Sequence, residues 1–261
     1  MYKRQDHALA AFEVVNSFHP NAFTFSALKQ TALLYQQKEM YSKAINKYMM
    51  IDDLAETIEM QLFAKKGLMA CYFELAEYAD AITQAELVLN SGRVDESLVL
   101  ELNTFVARAA FLDLNRDLAA EKYRYVDNTS QGEVKAEAMY HLAYLAFYEG
   151  DYELSKQIVF EQSRLLPLYK KWLGKSFIVL AKNYWEEEDV FQATHTLDQL
   201  IINIDDSDIL QQARSLKAEI LAKEQGIIAD LSLGIDTVLI SDSLIITDSI
   251  STKDTLNISE D

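Results

Sequence analysis

Residues 148–156 read YEGDYELSK, and the spacing of aromatic and small residues around this stretch recurs along the chain. Tyr152 follows Ala146 by six residues and precedes Ser155 by three. Two antiparallel helices approach closely only where a small residue lets a bulky one insert. The spacing therefore predicts repeated helical hairpins. It recurs as Tyr35, Tyr41, Ala44; as Tyr72, Tyr78, Ala81; and as Tyr184, Val190, Ala193.

A fifth copy, within residues 107–125, fits this spacing less well. Leu112, Leu118 and Tyr125 hold the large positions there, and Glu121 occupies the small one. With this alignment the steps between successive small positions are 37, 40, 34 and 38 residues. One hairpin cannot bury its own outer face, but the next hairpin stacked on it does. A period of this length predicts a stacked helical array.

On these residues the chain resembles the tetratricopeptide repeat family, from residue 1 to about 206. Leu142 and Ala143 match the Leu-Gly/Ala pair of the family's first helix, and Pro20 and Pro167 stand at its repeat-end position. The resemblance implies an all-α fold, a right-handed α-solenoid of tetratricopeptide-type hairpins. We divide the chain into a second helix of an incomplete repeat (1–20), an array of about five repeats (21–206), a capping helix (207–225) and an acidic low-complexity tail (226–261).

The two ends of the array carry further expectations. The first twenty residues supply a second helix without its partner, and such a helix leaves an apolar stripe in water. We expect either that the chain is the C-terminal part of a longer array or that this stripe mediates self-association. At the other end, Asp206 or Ser207 can cap a last helix that Gly226 can terminate.

The tail places an aspartate every six residues, from Asp230 to Asp254, among isoleucine, leucine and valine. Residues 227–261 hold seven acidic residues and one lysine. Such a composition is typical of a low-complexity segment without a stable fold. The alternative is strand formation, because an even period puts every aspartate on one face, and the tail could then add to a partner's sheet edge.

Composition and motifs restrict the function classes. A net charge of −17 disfavours nucleic acid and anionic lipid, since both attract lysine and arginine. The sequence contains no run of about 18 apolar residues, the length that a membrane-spanning helix needs, so we expect no membrane insertion. The sequence contains no Gly-rich phosphate loop, GxSxG, HExxH or CxxC motif, so we expect no enzyme activity, no cofactor and no metal. Cys71 lies in an apolar stretch typical of a buried thiol, and the acidic run 186–189 is typical of a solvated turn.

The family resemblance implies that the first helix of each hairpin lines a concave groove that binds a protein or peptide partner. The clustered tyrosines of the fourth repeat either line this groove or belong to the core between helices, since Tyr144 and Tyr148 share whichever face they lie on. Some family members bind a C-terminal carboxylate with a lysine and an asparagine. In this chain Leu33 stands at the position of that asparagine. The groove candidates are Lys29, Phe63, Lys66, Phe73, Tyr140, Tyr144, Phe147, Tyr148, Lys182 and Trp185.

These expectations favour a non-enzymatic scaffold or adaptor, in the bacterial cell envelope if the chain belongs to a longer exported protein. An alternative is a sensing or oligomerisation arm of a larger regulator or enzyme whose active segment lies upstream. A catalytic or DNA-binding segment upstream would favour the arm, and a longer exported chain made only of repeats would favour the scaffold.

Overall fold

The computed structural model describes residues 2–17, 23–92 and 94–224, and these form α-helices joined by short turns, with no strand among them. Pro20, the Gly226 cap and the tail lie outside the described residues. The helices are α1 Tyr2–Ser17, α2 Thr24–Gln37, α3 Tyr41–Asp53, α4 Ile58–Glu74, α5 Tyr78–Asn90, α6 Glu96–Leu112, α7 Arg116–Thr129, α8 Gly132–Tyr148, α9 Tyr152–Leu165, α10 Lys170–Glu186, α11 Val190–Asn203 and α12 Ser207–Glu224.

The chain divides into two compact units, Met1–Lys122 and Tyr123–Asp261, with the boundary inside α7. In the first unit each helix from α1 to α5 packs against the next along the chain, so the series ends at α6. In the second unit α8 pairs with α9, α10 with α11, and α11 with α12. There α10 also contacts both α8 and α12, so these three helices are neighbours in space. Within the described part of the chain, no helix is long and apolar enough to cross a membrane.

Five hairpins share one turn, which ends the first helix and starts the second. After α2, the N–H of Met40 donates to the carbonyl oxygen of Tyr35 at 2.9 Å, and the N–H of Glu39 donates to that of Gln36 at 2.9 Å. This pair of hydrogen bonds defines a Schellman motif, whose first residue outside the helix adopts the left-handed conformation. The residues with positive φ at this position are Glu39, Ala76, Leu114, Gly150 and Glu188.

These turns correct the predicted register of the third hairpin. Glu121, predicted at the small position between helices, is exposed. Counting five residues on from Leu114, as from Gly150 to Ser155, leads instead to Ala119, which is fully buried. Steps between small positions are then 37, 38, 36 and 38 residues. The sequence suggested the wrong alignment because Leu112, Leu118 and Tyr125 could be placed at the large positions, two residues further along the chain than the turn at Leu114 requires.

Small residues at the helix interfaces allow the close approach that the spacing predicts. Ala44, Ala81, Ser155 and Ala193 are all fully buried. The hydroxyl of Ser155 donates to the carbonyl oxygen of Ala143 at 2.8 Å, so the one polar residue at this position bonds across the hairpin. A buried hydroxyl without such a partner would destabilise the fold, because its desolvation would not be offset.

Helix α1 packs on α2, but none of its described side chains is fully buried. Leu9 packs against the core of the first unit, whereas Val14 is exposed. Glu13 holds the helix by polar contacts, accepting hydrogen bonds from the Tyr35 hydroxyl and the Lys47 amine, both at 2.9 Å. Self-association through this helix stays a prediction.

Aspartates cap three helices of the second unit, α9, α11 and α12. Asp151 accepts a hydrogen bond from the N–H of Leu154 at 3.0 Å, and Asp189 accepts one from the N–H of Gln192 at 3.0 Å. Asp206 does the same for α12, accepting from the N–H of Ile209 at 3.1 Å. Each cap satisfies a donor that the first turn of a helix leaves without an intrahelical partner.

Candidate functional site

In the first unit, the predicted groove residues lie on neighbouring helices. The Lys29 amine of α2 lies 5.0 Å from the ring centroid of Phe63 in α4, a cation–π contact. The Lys66 amine lies 3.0 Å from a carboxylate oxygen of Glu101. Phe73 is only 4% exposed and packs on Phe105 with ring centroids 5.5 Å apart. The prediction that Phe73 lines a groove is therefore wrong.

Two predicted groove tyrosines of the second unit also belong to the core. Tyr140 is 3% exposed and Tyr144 is 6% exposed. The Tyr140 ring packs on His141 and on Trp172 of α10, with centroids 4.8 and 5.8 Å apart. The sequence located this aromatic cluster but could not give its face, because a ring suits a helix interface and a binding surface equally well.

The remaining candidates of the second unit reach the surface. Tyr148 is 36% exposed and its ring lies 6.0 Å from that of Tyr144. Lys182 and Trp185 of α10 are partly exposed, and the Lys223 amine of α12 lies 4.2 Å from the Trp185 ring centroid. We call Tyr148, Lys182, Trp185 and Lys223 the first-helix face. Phe147 is partly exposed and packs on Tyr152, beside the turn of its own hairpin.

The sequence analysis missed Lys175, which lies inside the aromatic cluster. Its amine is 5.4 Å from the ring centroid of Tyr140 and 5.3 Å from that of Trp172, and the residue is buried. A buried amine is stable only where rings or anions replace its hydration. The sequence gave no signal of this burial, because a lysine on a helix is ordinarily solvated.

A cleft of about 310 Å³ opens in the first unit, near the connection between α3 and α4. Its wall includes the exposed side chains of Ile58 and Leu87. A salt bridge between Lys65 and Asp52, 2.6 Å long, also lines the cleft. The sequence gave no sign of this cleft, because its residues come from separate helices whose approach depends on the packing of the hairpins.

Among the described residues, Cys71 and the acidic run 186–189 have the properties of structural groups. Burial, followed by the nearby Glu74 carboxylate, raises the pKa of the Cys71 thiol to about 12, so the thiol stays protonated at neutral pH. In the acidic run 186–189, Glu187 pairs with Lys156 at 2.8 Å and Asp189 caps α11, which are structural roles. No group of histidine, cysteine, aspartate and glutamate among the described residues could hold a metal ion.

No protein-family model matches the chain, and no curated protein matches it in sequence. Solved structures do match in fold. YrrB, described as a TPR protein with an unusual peptide-binding site, aligns over 78% of this chain and 98% of its own, at 16% identity and a TM-score of 0.55. The C-terminal part of a TPR repeat-containing protein from Cytophaga hutchinsonii aligns over 85% and 80%, at 13% identity and a TM-score of 0.56.

The TPR-like repeats of a putative kinesin light chain from Podosopora anserina align over 77% of this chain and 95% of their own, at 17% identity and a TM-score of 0.51. At identities this low, a structural likeness shows the fold and does not transfer a ligand. All three structures are arrays of the same kind of repeat.

Proposed function

We propose that this chain, which has the tetratricopeptide repeat fold, is a non-enzymatic scaffold that binds a peptide or protein partner on the first-helix face of its second unit. The observation that carries the proposal is the contact between the partly exposed Trp185 ring and the Lys223 amine on adjacent helices. Trp185 of α10 pairs with Lys223 of α12, and the exposed ring of Tyr148 lies on the neighbouring helix α8. Such groups dominate binding energy at interfaces, because rings bury large areas at little entropic cost.

The packing of the second unit supports a preformed surface. Tyr140, Tyr144, Trp172 and Lys175 are buried beneath or beside the face and fix α8 against α10. A surface that is already ordered loses little side-chain freedom when it binds, so more of the contact energy appears as affinity. YrrB, with the same fold, is described as having a peptide-binding site, which makes a peptide the first partner class to test.

The experiment starts from a peptide library displayed on phage, selected on the full chain. A selected peptide is then titrated against Tyr148→Ala and Trp185→Ala variants. We expect each to weaken binding by about tenfold, the usual effect of removing an anchor ring. The thermal melting of Tyr148→Ala should match that of the unaltered chain, whereas Trp185→Ala should melt somewhat lower because Trp185 packs against the core of the second unit, so binding is measured well below both melting temperatures.

Phe191→Ala is the matched control, because Phe191 is an aromatic residue 73% exposed on α11, a second helix. It should leave the affinity within twofold. Equal binding by the Tyr148→Ala and Trp185→Ala variants, or a loss in Phe191→Ala as large as theirs, would refute this location of the site. A library that yields no binder would count against peptide recognition itself.

A cell-envelope location is the finer part of the proposal. The intact mass of the native protein, measured in separated cytosolic and envelope fractions, tests it. A species well above 29.8 kDa in the envelope would support an exported scaffold. A cytosolic species of 29.8 kDa would oppose it.

A further inference from the structure

Two chains of buried hydrogen bonds connect α8, α9 and α10 in the second unit. In the first chain, the side-chain amide of Asn183 in α10 donates to the hydroxyl of Ser155 in α9 at 2.8 Å. That hydroxyl donates in turn to the carbonyl oxygen of Ala143 in α8 at 2.8 Å. The chain therefore joins three helices through the side chains of two of them.

The second chain repeats this arrangement two helical turns away. The hydroxyl of Ser176 in α10 donates to the side-chain oxygen of Gln162 in α9 at 2.6 Å, the shorter of its two contacts, since the carbonyl oxygen of Trp172 lies at 3.0 Å. The Gln162 amide donates to the carbonyl oxygen of Ala136 in α8 at 3.1 Å. On each helix the two chains use residues seven positions apart, so they lie on the same helix faces.

These hydrogen bonds distinguish the stack of α9 on α10 from the other stacks, in which the second helix of one hairpin packs on the first helix of the next. We call Ser155, Gln162, Ser176 and Asn183 the polar quartet, and all four are fully buried. The equivalent residues of three other stacks, counted from the shared turns and, for α12, from its packing on α11, are also buried, but all are apolar. They are Ala44, Ile51, Ala64 and Cys71 for α3 on α4; Ala81, Val88, Leu102 and Ala109 for α5 on α6; and Ala193, Leu200, Ala213 and Ile220 for α11 on α12.

The apolar contacts of α9 with α10 give little steric definition of the register. In the stack of α3 on α4, a large ring fits against a glycine, because Tyr48 lies on Gly67. The equivalent residues of α9 and α10 are Val159 and Val179, which are both buried and similar in size. Apolar contact is not directional, whereas a hydrogen bond forms only within narrow limits of distance and angle. The register of α10 on the α8–α9 hairpin therefore depends on the polar quartet.

A displaced α10 would lose both chains at once. A shift along its axis by one turn, about 5.4 Å, would separate all four side chains of the polar quartet from these partners. Buried polar groups without partners are rare in native proteins, because their desolvation is then not offset. The quartet thus makes one position of α10 more favourable than the neighbouring positions.

We infer that the polar quartet is a set of positioning residues for the first-helix face: it fixes α10 against α8 and so sets the spacing of Trp185 and Tyr148. The inference rests on the proposed function and names the groups that determine the shape of that surface. Asn183 stands two residues before Trp185 on α10, and Ala143 stands five residues before Tyr148 on α8. The hydrogen-bonded chain through Ser155 therefore ties together the two segments that carry the rings.

The test uses a variant in which the quartet is replaced by apolar side chains of similar shape, which we call the apolar variant. Such a replacement removes hydrogen bonds without leaving a partner unsatisfied, so it should melt no lower than the unaltered chain. The matched control is Gln157→Leu, the same kind of change at an exposed position of α9. The apolar variant carries Ser155→Ala, Gln162→Leu, Ser176→Ala and Asn183→Leu.

The spacing of α8 and α10 is measured directly, without a ligand. Spin labels are attached through Glu149→Cys and Glu186→Cys, at exposed positions where α8 and α10 end, while the buried Cys71 stays unlabelled. Pulsed electron paramagnetic resonance gives the distribution of distances between the labels. We expect one narrow distribution with the natural quartet and with Gln157→Leu, and a distribution at least twice as wide, or with two maxima, in the apolar variant.

An equally narrow distribution in the apolar variant would overturn the inference, because the register would then not depend on the hydrogen bonds. An apolar variant that fails to fold, or that melts well below the unaltered chain, would overturn it too. In that case the quartet would supply stability and not position.

The consequence for binding is measured with the phage-selected peptide, on chains without spin labels. We expect the apolar variant to bind about tenfold more weakly, as follows if its face has the binding conformation for about a tenth of the time. Gln157→Leu should bind within twofold of the unaltered chain. Equal affinity of the apolar variant and the unaltered chain would show that the quartet does not position the face. If the unaltered chain selects no peptide, the proposed function fails, and the label distances still decide whether the quartet sets the spacing of α8 and α10.

Discussion

At the scale of single residues, Gly67 has the tightest surroundings of the described glycines, where α3 packs on α4. Gly67 is buried in α4, and a Cβ atom added there would come within 2.2 Å of the Tyr48 ring. Tyr48 cannot move aside easily, because it is buried and its hydroxyl donates to the Gln36 side-chain oxygen at 2.7 Å. Glycine is therefore required at position 67 because the Tyr48 ring lies against it. Its backbone conformation, which is helical, would allow any residue.

We predict that Gly67→Ala destabilises the first unit by about 1–3 kcal/mol, the usual cost of overpacking a core. In an exposed helix the same change would stabilise by about 1 kcal/mol, so the sign of the effect reports the contact. Urea unfolding followed by circular dichroism measures it. Adding Tyr48→Val, which removes the ring, should make the double variant less destabilised than the sum of the two single changes. Additive effects would contradict the contact.

At the scale of the helical elements, the shared turn places a residue other than glycine in the left-handed region in four of five hairpins. Gly150 is the exception, with a φ of +81° and open space around its missing Cβ. Left-handed backbone costs a residue with a Cβ atom roughly 1–2 kcal/mol. In each of these four hairpins, the hydrogen bonds of the Schellman motif and the packing of both helices must therefore outweigh this cost.

We predict that Gly150→Ala destabilises the second unit by about 1 kcal/mol and that Ala76→Gly stabilises the first unit by up to about 1 kcal/mol. Ala79→Gly, three residues further on but inside α5 and exposed, is the control. It should destabilise by about 0.5–1 kcal/mol, because helical backbone disfavours glycine. Urea midpoints measure all three. The same sign for Ala76→Gly and Ala79→Gly would refute the turn argument.

The contact between α1 and its neighbours depends on pH through Glu13. Burial raises the pKa of this carboxyl, but hydrogen bonds from Lys47 and Tyr35 outweigh burial and leave the pKa below its ordinary value of 4.5. Because the folded pKa is lowered, the contact stabilises α1 above pH 4.5. That stabilisation is lost as the pH falls through the folded pKa.

We predict that hydrogen-exchange protection of α1, corrected for intrinsic rates, falls about two- to fivefold on acidification below pH 4.5, as expected for one partly exposed ion pair. In Glu13→Gln the protection should already be low at pH 6 and change little on acidification. A variant whose α1 protection follows the same pH curve as the unaltered chain would exclude Glu13 as the titrating group.

The sequence predicted the elements better than the surfaces. The repeated tyrosine and alanine spacing was sufficient for an all-α array of hairpins, because helix pairing requires small and large residues at fixed intervals. The register of the third hairpin was missed, since Arg116 replaces the large apolar or aromatic residue, Tyr or Val, that the other hairpins carry at this position. Phe73, Tyr140 and Tyr144 were assigned to a groove although they are buried, because which side of a helix faces its neighbours depends on the crossing geometry.

At the scale of the whole molecule, the two units carry separate reporters. The only cysteine, Cys71, is in the first unit, and both tryptophans, Trp172 and Trp185, are in the second. In repeat arrays each repeat contacts only its neighbours, so a local change acts mainly on nearby repeats. The burial of Cys71 and its pKa of about 12 make the native thiol unreactive at pH 8.

We therefore predict that Gly67→Ala shifts the urea dependence of Cys71 alkylation to lower concentration while the midpoint from tryptophan fluorescence moves less. Alkylation is measured by mass spectrometry after short pulses of iodoacetamide. Rapid alkylation of the native chain would contradict the burial of Cys71. Equal shifts of both reporters would mean that the two units unfold as one cooperative body.

The nearly constant interval of 36–38 residues between successive turns has a consequence for how such a chain can change over generations. A duplication or deletion of one full interval, starting anywhere in the array, keeps every cap, turn and interface position in phase. An insertion of another length inside a helix would shift small residues away from the rings they accommodate. Gene segments of about this length are therefore the units by which the array can lengthen or shorten without a new core having to evolve.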